Sequence, residues 1–266
     1  MEVRYERLRP NEVKNQRKSC PVAYIPLGTL EWHGPHNPVG LDSIKIHQIC
    51  IRCAQEGGGL VFPPLYYGEA REEGLMDSNP LHVEAISKEM NLSPEYFEPG
   101  YMRESPPEAF QNYQRLLLHI LNQAQSLGFR VLVLAAGHYP LIDHARAAAS
   151  IFHQQRQVGS GYRKPKAIPW VFTGYELVRD LYPDAGDHAG FWETSLLMAL
   201  EPGLVDLSRL PEDESTVPGV ISNRPIKESN REFGEEAVAN IVERALAQIR
   251  DRLDHPDKYR GHGLKF

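Results

Sequence analysis

The chain has 266 residues, 41% of them hydrophobic and 24% charged, with a net charge of −6 and a pI of about 6.0. That is enough chain for one large core. The acidic balance argues against a nucleic-acid footprint, which needs a basic face, and no apolar run reaches membrane-spanning length.

Three cysteines, Cys20, Cys50 and Cys53, are too few for a disulfide framework and fit a reducing compartment. The charged stretch Met1 to Ser19 lacks an apolar signal core, so the protein reads as cytoplasmic. The first regular element is the apolar run Val22 to Leu27, a buried strand ending at Gly28. Glycines and prolines then interrupt the chain through Gly40. Glu31, His33 and Asp42 stand in or beside this break. Two carboxylates and an imidazole suit a divalent ion such as zinc or manganese, and loops leaving strand ends are where α/β sheets place ligands.

Asp42 or Ser43 is expected to cap the next helix, whose apolar period runs from Ser43 to Gln55. Cys50 and Cys53 fall on one face of it and read as small core residues rather than a redox pair. Gly57-Gly58-Gly59 ends the helix, and Leu60 to Gly68 reads as a second strand running into a loop. The pattern is lost from 69 to 107 except for a short helix around His82 to Met90; Tyr96, Phe97 and Tyr101 argue against simple disorder there. Helical periodicity returns from Glu108 to Leu127.

Phe129 to Ala136 is the strongest strand and is placed centrally in a parallel sheet. It ends in Gly137-His138-Tyr139-Pro140, and a helix follows from Leu141 to about Gln157. Lys166 to Phe172 is a further strand, with Pro169 suggesting an edge or a bulge. A weak helix at Leu177 to Leu181 and a loop from Asp184 to Gly190 precede a helix at Trp192 to Leu200. Pro202 to Asn223 is polar and rich in turn formers. The last element is an amphipathic helix, Arg231 to Leu253, with Val238, Ile241, Val242, Ala245, Leu246 and Ile249 on one face; the tail after His255 is polar. Strands alternating with helices, without repeat or linker, predict a single-domain three-layer α/β/α sandwich with a mostly parallel sheet, spanning 1–266 with an irregular insertion at about 69–107.

The stretch Leu27-Gly28-Thr29-Leu30-Glu31-Trp32-His33-Gly34-Pro35-His36, followed by Pro38-Val39-Gly40-Leu41-Asp42, resembles the signature of the creatininase (creatinine amidohydrolase) family. The resemblance implies the same α/β architecture. It implies that His138 is a metal ligand, by its place after the strongest strand. Asp187-His188-Ala189-Gly190-Phe191-Trp192-Glu193-Thr194-Ser195 resembles the family's H-A-G-x-x-E-T-S, which makes Glu193 a ligand and His188 a catalytic or substrate-binding residue; Asp187, next to it, is read as orienting it. His36 belongs to the first motif as a brace for its loop. His144 reads as a surface or capping histidine, and His255 and His262 are assigned nothing.

The resulting expectation is a five-ligand set, Glu31, His33, Asp42, His138 and Glu193, for two divalent ions (Zn, Mn or Fe), with Asp42 as the bridge. Its chemistry would be hydrolysis of a C–N amide bond, cyclic or linear, in a small molecule, with His188 handling the proton or steadying the oxyanion. No G-x-S-x-G nucleophile motif competes. Ala136, Pro140 and Leu141 depart from the family's polar pattern around His138 and set creatinine itself in question as substrate. The family's P-G-T turn is not recognisable in the 69–107 segment. Two alternatives stand beside this reading: a deformylase- or peptidase-like member of the family, and a metal-stabilised binding or scaffold protein without turnover. The resemblance also implies a homo-oligomer, such as a hexamer.

Overall fold

The computed structural model describes residues 1–68, 80–97, 106–154 and 167–259. Its centre is a four-stranded sheet: β1 (Val22–Leu27), β2 (Leu60–Val61), β3 (Val131–Ala136) and β4 (Ile168–Phe172). The strands lie in the order β2-β1-β3-β4 and all neighbours are parallel. β1 and β3 are buried along their whole length, which is why both read as continuous apolar runs rather than as alternations. Pro169 is accommodated because β4 is an outer strand.

The pleat sorts side chains into two layers. Val22, Tyr24, Val131, Val133, Trp170 and Phe172 point to one face, where they meet α2 (Leu41–Gly57), α7 (Phe191–Leu200) and α8 (Arg231–Asp254). Ala23, Ile25, Leu27, Leu132, Leu134 and Val171 point to the other, against α4 (Pro106–Ser126) and α5 (Leu141–Gln154). The apolar stripe of α8, from Val238 to Ile249, is buried on the first face, and each large side chain there contributes about 1.5–3 kcal/mol. Cys50 and Cys53 are free, fully buried members of the same layer, and burial pushes both thiols up, so they behave as small apolar residues. The result is the expected single-domain α/β/α sandwich.

Several boundaries differ from the sequence reading. A helix, α1 (Pro10–Ser19), occupies the stretch read only as charged; Val13 is its one buried residue, so it has no apolar period to detect. Pro10 at the first helical position and the bond from the Arg9 N–H to Glu12 Oε2 (2.7 Å) start it. The strand expected to run into a loop by Gly68 is short: β2 ends at Val61, and Pro63 and Pro64 lack the donors that would extend the ladder, although the Phe62 and Leu65 amides still bond the Tyr24 and Pro26 carbonyls. α2 begins at Leu41, with Gly40 in the capping position, so neither Asp42 nor Ser43 caps it. The weak helix is α6 (Gly174–Val178), three residues earlier than expected. His144 is buried, packed on Phe110 and Tyr113 (centroids 4.1 and 5.4 Å away), and is not a surface residue.

Part of the 69–107 insertion, including Tyr101, and the end of the helix expected to reach Gln157 lie outside the described residues. What is described of the insertion includes α3 (Val83–Glu89), whose Ile86 packs with Val83, Met90 and Phe97 on Trp32 of the first motif.

Candidate metal centre

β1 and β3 end level with one another, Leu27 opposite Ala136, so the loops carrying Glu31 and His138 leave the same edge of the sheet. Two glycines then let α2 press onto that edge. A Cβ on Gly28 would strike Ser43, and one on Gly137 would strike the backbone carbonyl of Asp42. The close approach brings Asp42, in the first turn of α2, beside His138. The cap position is left to Gly40, and the Asp42 carboxylate faces the centre instead.

All five expected ligands converge there, each at least nine-tenths buried. His138 Nδ1 lies 2.8 Å from Glu31 Oε1 and 3.2 Å from Asp42 Oδ2. His33 Nε2 lies 3.5 Å from Glu31 Oε1, 3.5 Å from Asp42 Oδ1 and 3.9 Å from Glu193 Oε2. The atoms form three groups of three, two of which share Asp42: Glu31, Asp42 and His138; His33, Asp42 and Glu193; and, at the edge, Glu31, His33 and His188. The other nitrogen of His33, Nδ1, is 3.2 Å from the Glu31 carbonyl. A carbonyl only accepts, so Nδ1 carries a proton, and Nε2 is the nitrogen left to bind a cation.

His188 stands at the edge of the cage. Its ring is 4.7 Å from that of His33, and its Nδ1 is 3.7 Å from Glu31 Oε1. Its Nε2 is 2.9 Å from the Trp32 carbonyl. Asp187, beside it in sequence, accepts from the amides of Trp192 (2.8 Å) and Glu193 (3.1 Å), holding the start of the helix that delivers Glu193. Burial and the nearby Glu193 charge push the Asp187 carboxyl up to about 7, against the pull of those two amides. Ala189 takes a left-handed backbone angle (φ 54°), uncommon for a residue with a Cβ. That turn aims its N–H at Glu193 Oε2 (2.9 Å) and its carbonyl at His36 Nε2 (3.1 Å). His36 and Asn37 also reach Thr194, tying the first motif to the third.

One residue of the cage escaped the sequence reading. Lys45 is buried, its Nζ bonded to Glu193 Oε1 and 3.5 Å from Asp42 Oδ1. The available signal was its spacing: three residues after Asp42, it shares a helix face with it. Burial opposes its charge, but Glu193 and Asp42 outweigh burial and raise its pKa.

The donor set fits a divalent cation. Three buried carboxylates and two imidazoles are hard and borderline donors of the kind zinc and manganese take. Among the described residues, His33 Nε2 and Asp42 Oδ2 are fully buried without a well-formed hydrogen bond, although both lie within a few ångströms of other ligand atoms. The charge preference is explicit at His33: burial disfavours its protonated form, yet Asp42, Glu31 and Glu193 hold its pKa at about 9, the response of a site built around positive charge. A cavity of about 290 Å³ opens onto the cage, walled by Tyr139, Pro140, Thr173, Tyr175 and Ile221. Tyr139 and Tyr175 stack face to face in that wall, 4.7 Å apart.

An open parallel sheet with a carboxylate–imidazole cage at its strand ends is the arrangement of a candidate metal centre, and the relatives of this chain make the class a metal-dependent hydrolase acting on carbon–nitrogen bonds. The profile of the family described as creatininase, creatinine amidohydrolase, matches residues 6–92 and 109–249. The chain belongs to the creatininase family. A creatinine amidohydrolase of Pseudomonas putida is 25% identical over 257 residues, covering 87% of this chain and 90% of the relative. A 3-dehydro-scyllo-inosose hydrolase of Thermotoga maritima is 29% identical over 66 residues, 25% of this chain and 21% of the relative. Among solved structures, a mutant creatininase of the Zn-Zn type superposes with a TM-score of 0.68 at 24% identity, covering 96% of this chain and 99% of that one. A manganese creatininase gives 0.68 at 23% identity over 96% and 100%. Among the described residues, no helix is long and apolar enough to cross a membrane.

Proposed function

We propose that this protein hydrolyses a C–N amide bond, cyclic or linear, in a small molecule, with divalent zinc, manganese or iron held by Glu31, Asp42 and His138 and by His33, Asp42 and Glu193. The observation that carries the reading is the convergence of five buried ligand side chains into two triads joined at Asp42. Ions bound there supply two things: a water acidic enough to attack, and polarisation of the scissile carbonyl. The protein supplies the rest. The Trp32 carbonyl accepts from His188 Nε2, which leaves Nδ1 as the nitrogen that takes up a proton on the cavity side. Burial, then the neighbouring His33, lowers the His188 pKa and keeps the ring neutral. A neutral His188 takes the proton of the attacking water and hands it to the leaving nitrogen. Asp187 is a positioning residue through the α7 start that carries Glu193, where its two oxygens accept the Trp192 and Glu193 amides, rather than through His188 as the sequence suggested.

The cavity is at the small end for ligand pockets, which supports a substrate of metabolite size. Ala136 and Leu141 are core residues in this chain, and Pro140 offers the cavity wall no donor. That wall supports an amide other than creatinine. The same loss of polar groups is the observation behind the second reading, a ligand-binding member of the family without turnover. The homo-oligomer implied by the family resemblance and the reducing compartment suggested by free Cys20, Cys50 and Cys53 belong to the proposal; light scattering tests the first.

The deciding experiment is a panel of cyclic amides, formamides and short peptides offered to metal-free and to zinc- or manganese-loaded protein. Product release that requires metal, stops on chelation and returns on reloading supports the hydrolase. Ligand binding without product across the panel supports the binding protein.

A further inference from the structure

Lys45 treats the two triads unequally. Its ammonium bonds Glu193 Oε1 and lies 3.5 Å from Asp42 Oδ1, the oxygen that faces His33. Glu193 belongs only to the triad of His33, Asp42 and Glu193, while Asp42 is shared. In the other triad Asp42 Oδ2 and Glu31 Oε1 lie 3.2 and 2.8 Å from His138 Nδ1, and Glu31 Oε1 is also 3.5 Å from His33 Nε2. Glu193 is engaged twice over, since its Oε2 also accepts the Ala189 amide. Lys45 sits on the buried face of α2 in line with Asp42, Ile46 and Ile49, at the wall of the cavity that opens onto the cage.

Resting on the metal-centre reading above, we infer that Lys45 is a built-in competitor for the second cation. The Glu31–Asp42–His138 site holds its ion tightly, and the His33–Asp42–Glu193 site takes an ion only by displacing the Lys45 ammonium from Glu193. The second ion is therefore exchangeable, and its loading follows the divalent-cation concentration around the protein. The competition is direct, because a cation and an ammonium want the same carboxylate oxygens and repel one another.

The test is a titration of metal-free protein with manganese, following free Mn²⁺ by paramagnetic resonance and bound metal by elemental analysis after dialysis. Wild type shows two steps, the second weaker by about 10- to 100-fold or more, the range in which groups around a metal site shift affinity. Lys45→Met, of similar length and without charge, tightens the second step by about that factor and leaves the first in place. Lys45→Arg keeps the charge and the wild-type gap. A thermal melt gives a second readout: the metal-free Lys45→Met protein melts lower than wild type and gains more on loading, since Asp42 and Glu193 have lost their ammonium partner. Should Lys45→Met fail to fold, Lys45→Gln takes its place with the same expectation. Two equal steps in wild type overturn the inference and leave the hydrolase reading standing, as does an unchanged second step in a folded Met or Gln variant. Wild type that binds no manganese or zinc removes the metal reading and the inference with it.

Discussion

Asp42 Oδ1 and His33 Nε2 face each other at 3.5 Å inside the core, beyond a normal N–H···O hydrogen bond and close to the separation of two donors on one ion. The other oxygen of Asp42 faces His138 at 3.2 Å. A carboxylate with an imidazole on either side belongs to both triads, and the variants that separate them follow from this.

Removing Asp42 takes a ligand from both triads joined at it, whereas removing Glu31 leaves the His33, Asp42 and Glu193 triad whole. Asp42→Ala is expected to hold no ion after dialysis against micromolar manganese. Glu31→Ala loses the tighter ion but still takes up metal in excess manganese. Elemental analysis of the two proteins checks this. Equal metal content in the two proteins would show that Asp42 is not shared.

His188 meets the cage from its edge and bonds the Trp32 carbonyl. His188→Gln should keep the metal content and the melting temperature, and lower kcat by about 10²- to 10⁴-fold, the usual worth of a proton-transfer group. The assay is turnover on whichever amide the panel identifies, alongside metal analysis of the same preparation. Unchanged turnover would reduce His188 to a structural role.

Gly137 is set by close approach to α2. A Cβ there would meet the Asp42 carbonyl, whereas one on Gly203 would meet nothing within 4 Å. Gly137→Ala should cost about 1–3 kcal/mol of stability, as overpacking does, and weaken metal binding by moving Asp42 from His138. Gly203→Ala should stay within about 0.5 kcal/mol of wild type. Urea denaturation with metal titration compares the two directly.

His36 is buried between the first and third motifs, and burial lowers its pKa to about 4, with the Ala189 carbonyl pulling against and His33 adding to the shift. An unfolded histidine titrates near its ordinary value of about 6.5. Between those values the unfolded chain binds the proton and the folded chain does not, so stability falls as pH drops from about 6.5 to about 4, by up to about 3 kcal/mol for this residue. The loss should be seen in metal-free protein, and His36→Asn should flatten it. Denaturation midpoints at pH 5 and 7.5 for both proteins provide the check; parallel slopes would assign the acid sensitivity elsewhere.

How much of this was legible in advance depends on how local each feature is. β1, β3 and α8 could be read because continuous burial or a one-sided stripe leaves its pattern in consecutive residues. The ligand types at Glu31, His33 and Asp42 were equally plain, since they crowd into one break after one strand. α1 left no such trace because it buries only Val13, and β2 stopped early because Pro63 and Pro64 act on the ladder rather than on the apolar pattern.

The amino-acid order by itself determined the alternation of strands and helices, the break after β1 and the residues able to bind metal, because these depend on neighbours along the chain. Only the tertiary structure decided which charges meet. Lys45 on an amphipathic helix has the sequence of a solvated residue. It is buried because Gly28 and Gly137 seat α2 on the sheet edge, while α7, starting some 150 residues later, brings Glu193 against it. Coulomb interactions act over a few ångströms of space whatever the distance along the chain, so the pairing of Lys45 with Glu193, and with it the inequality of the two triads, exists only in the folded molecule.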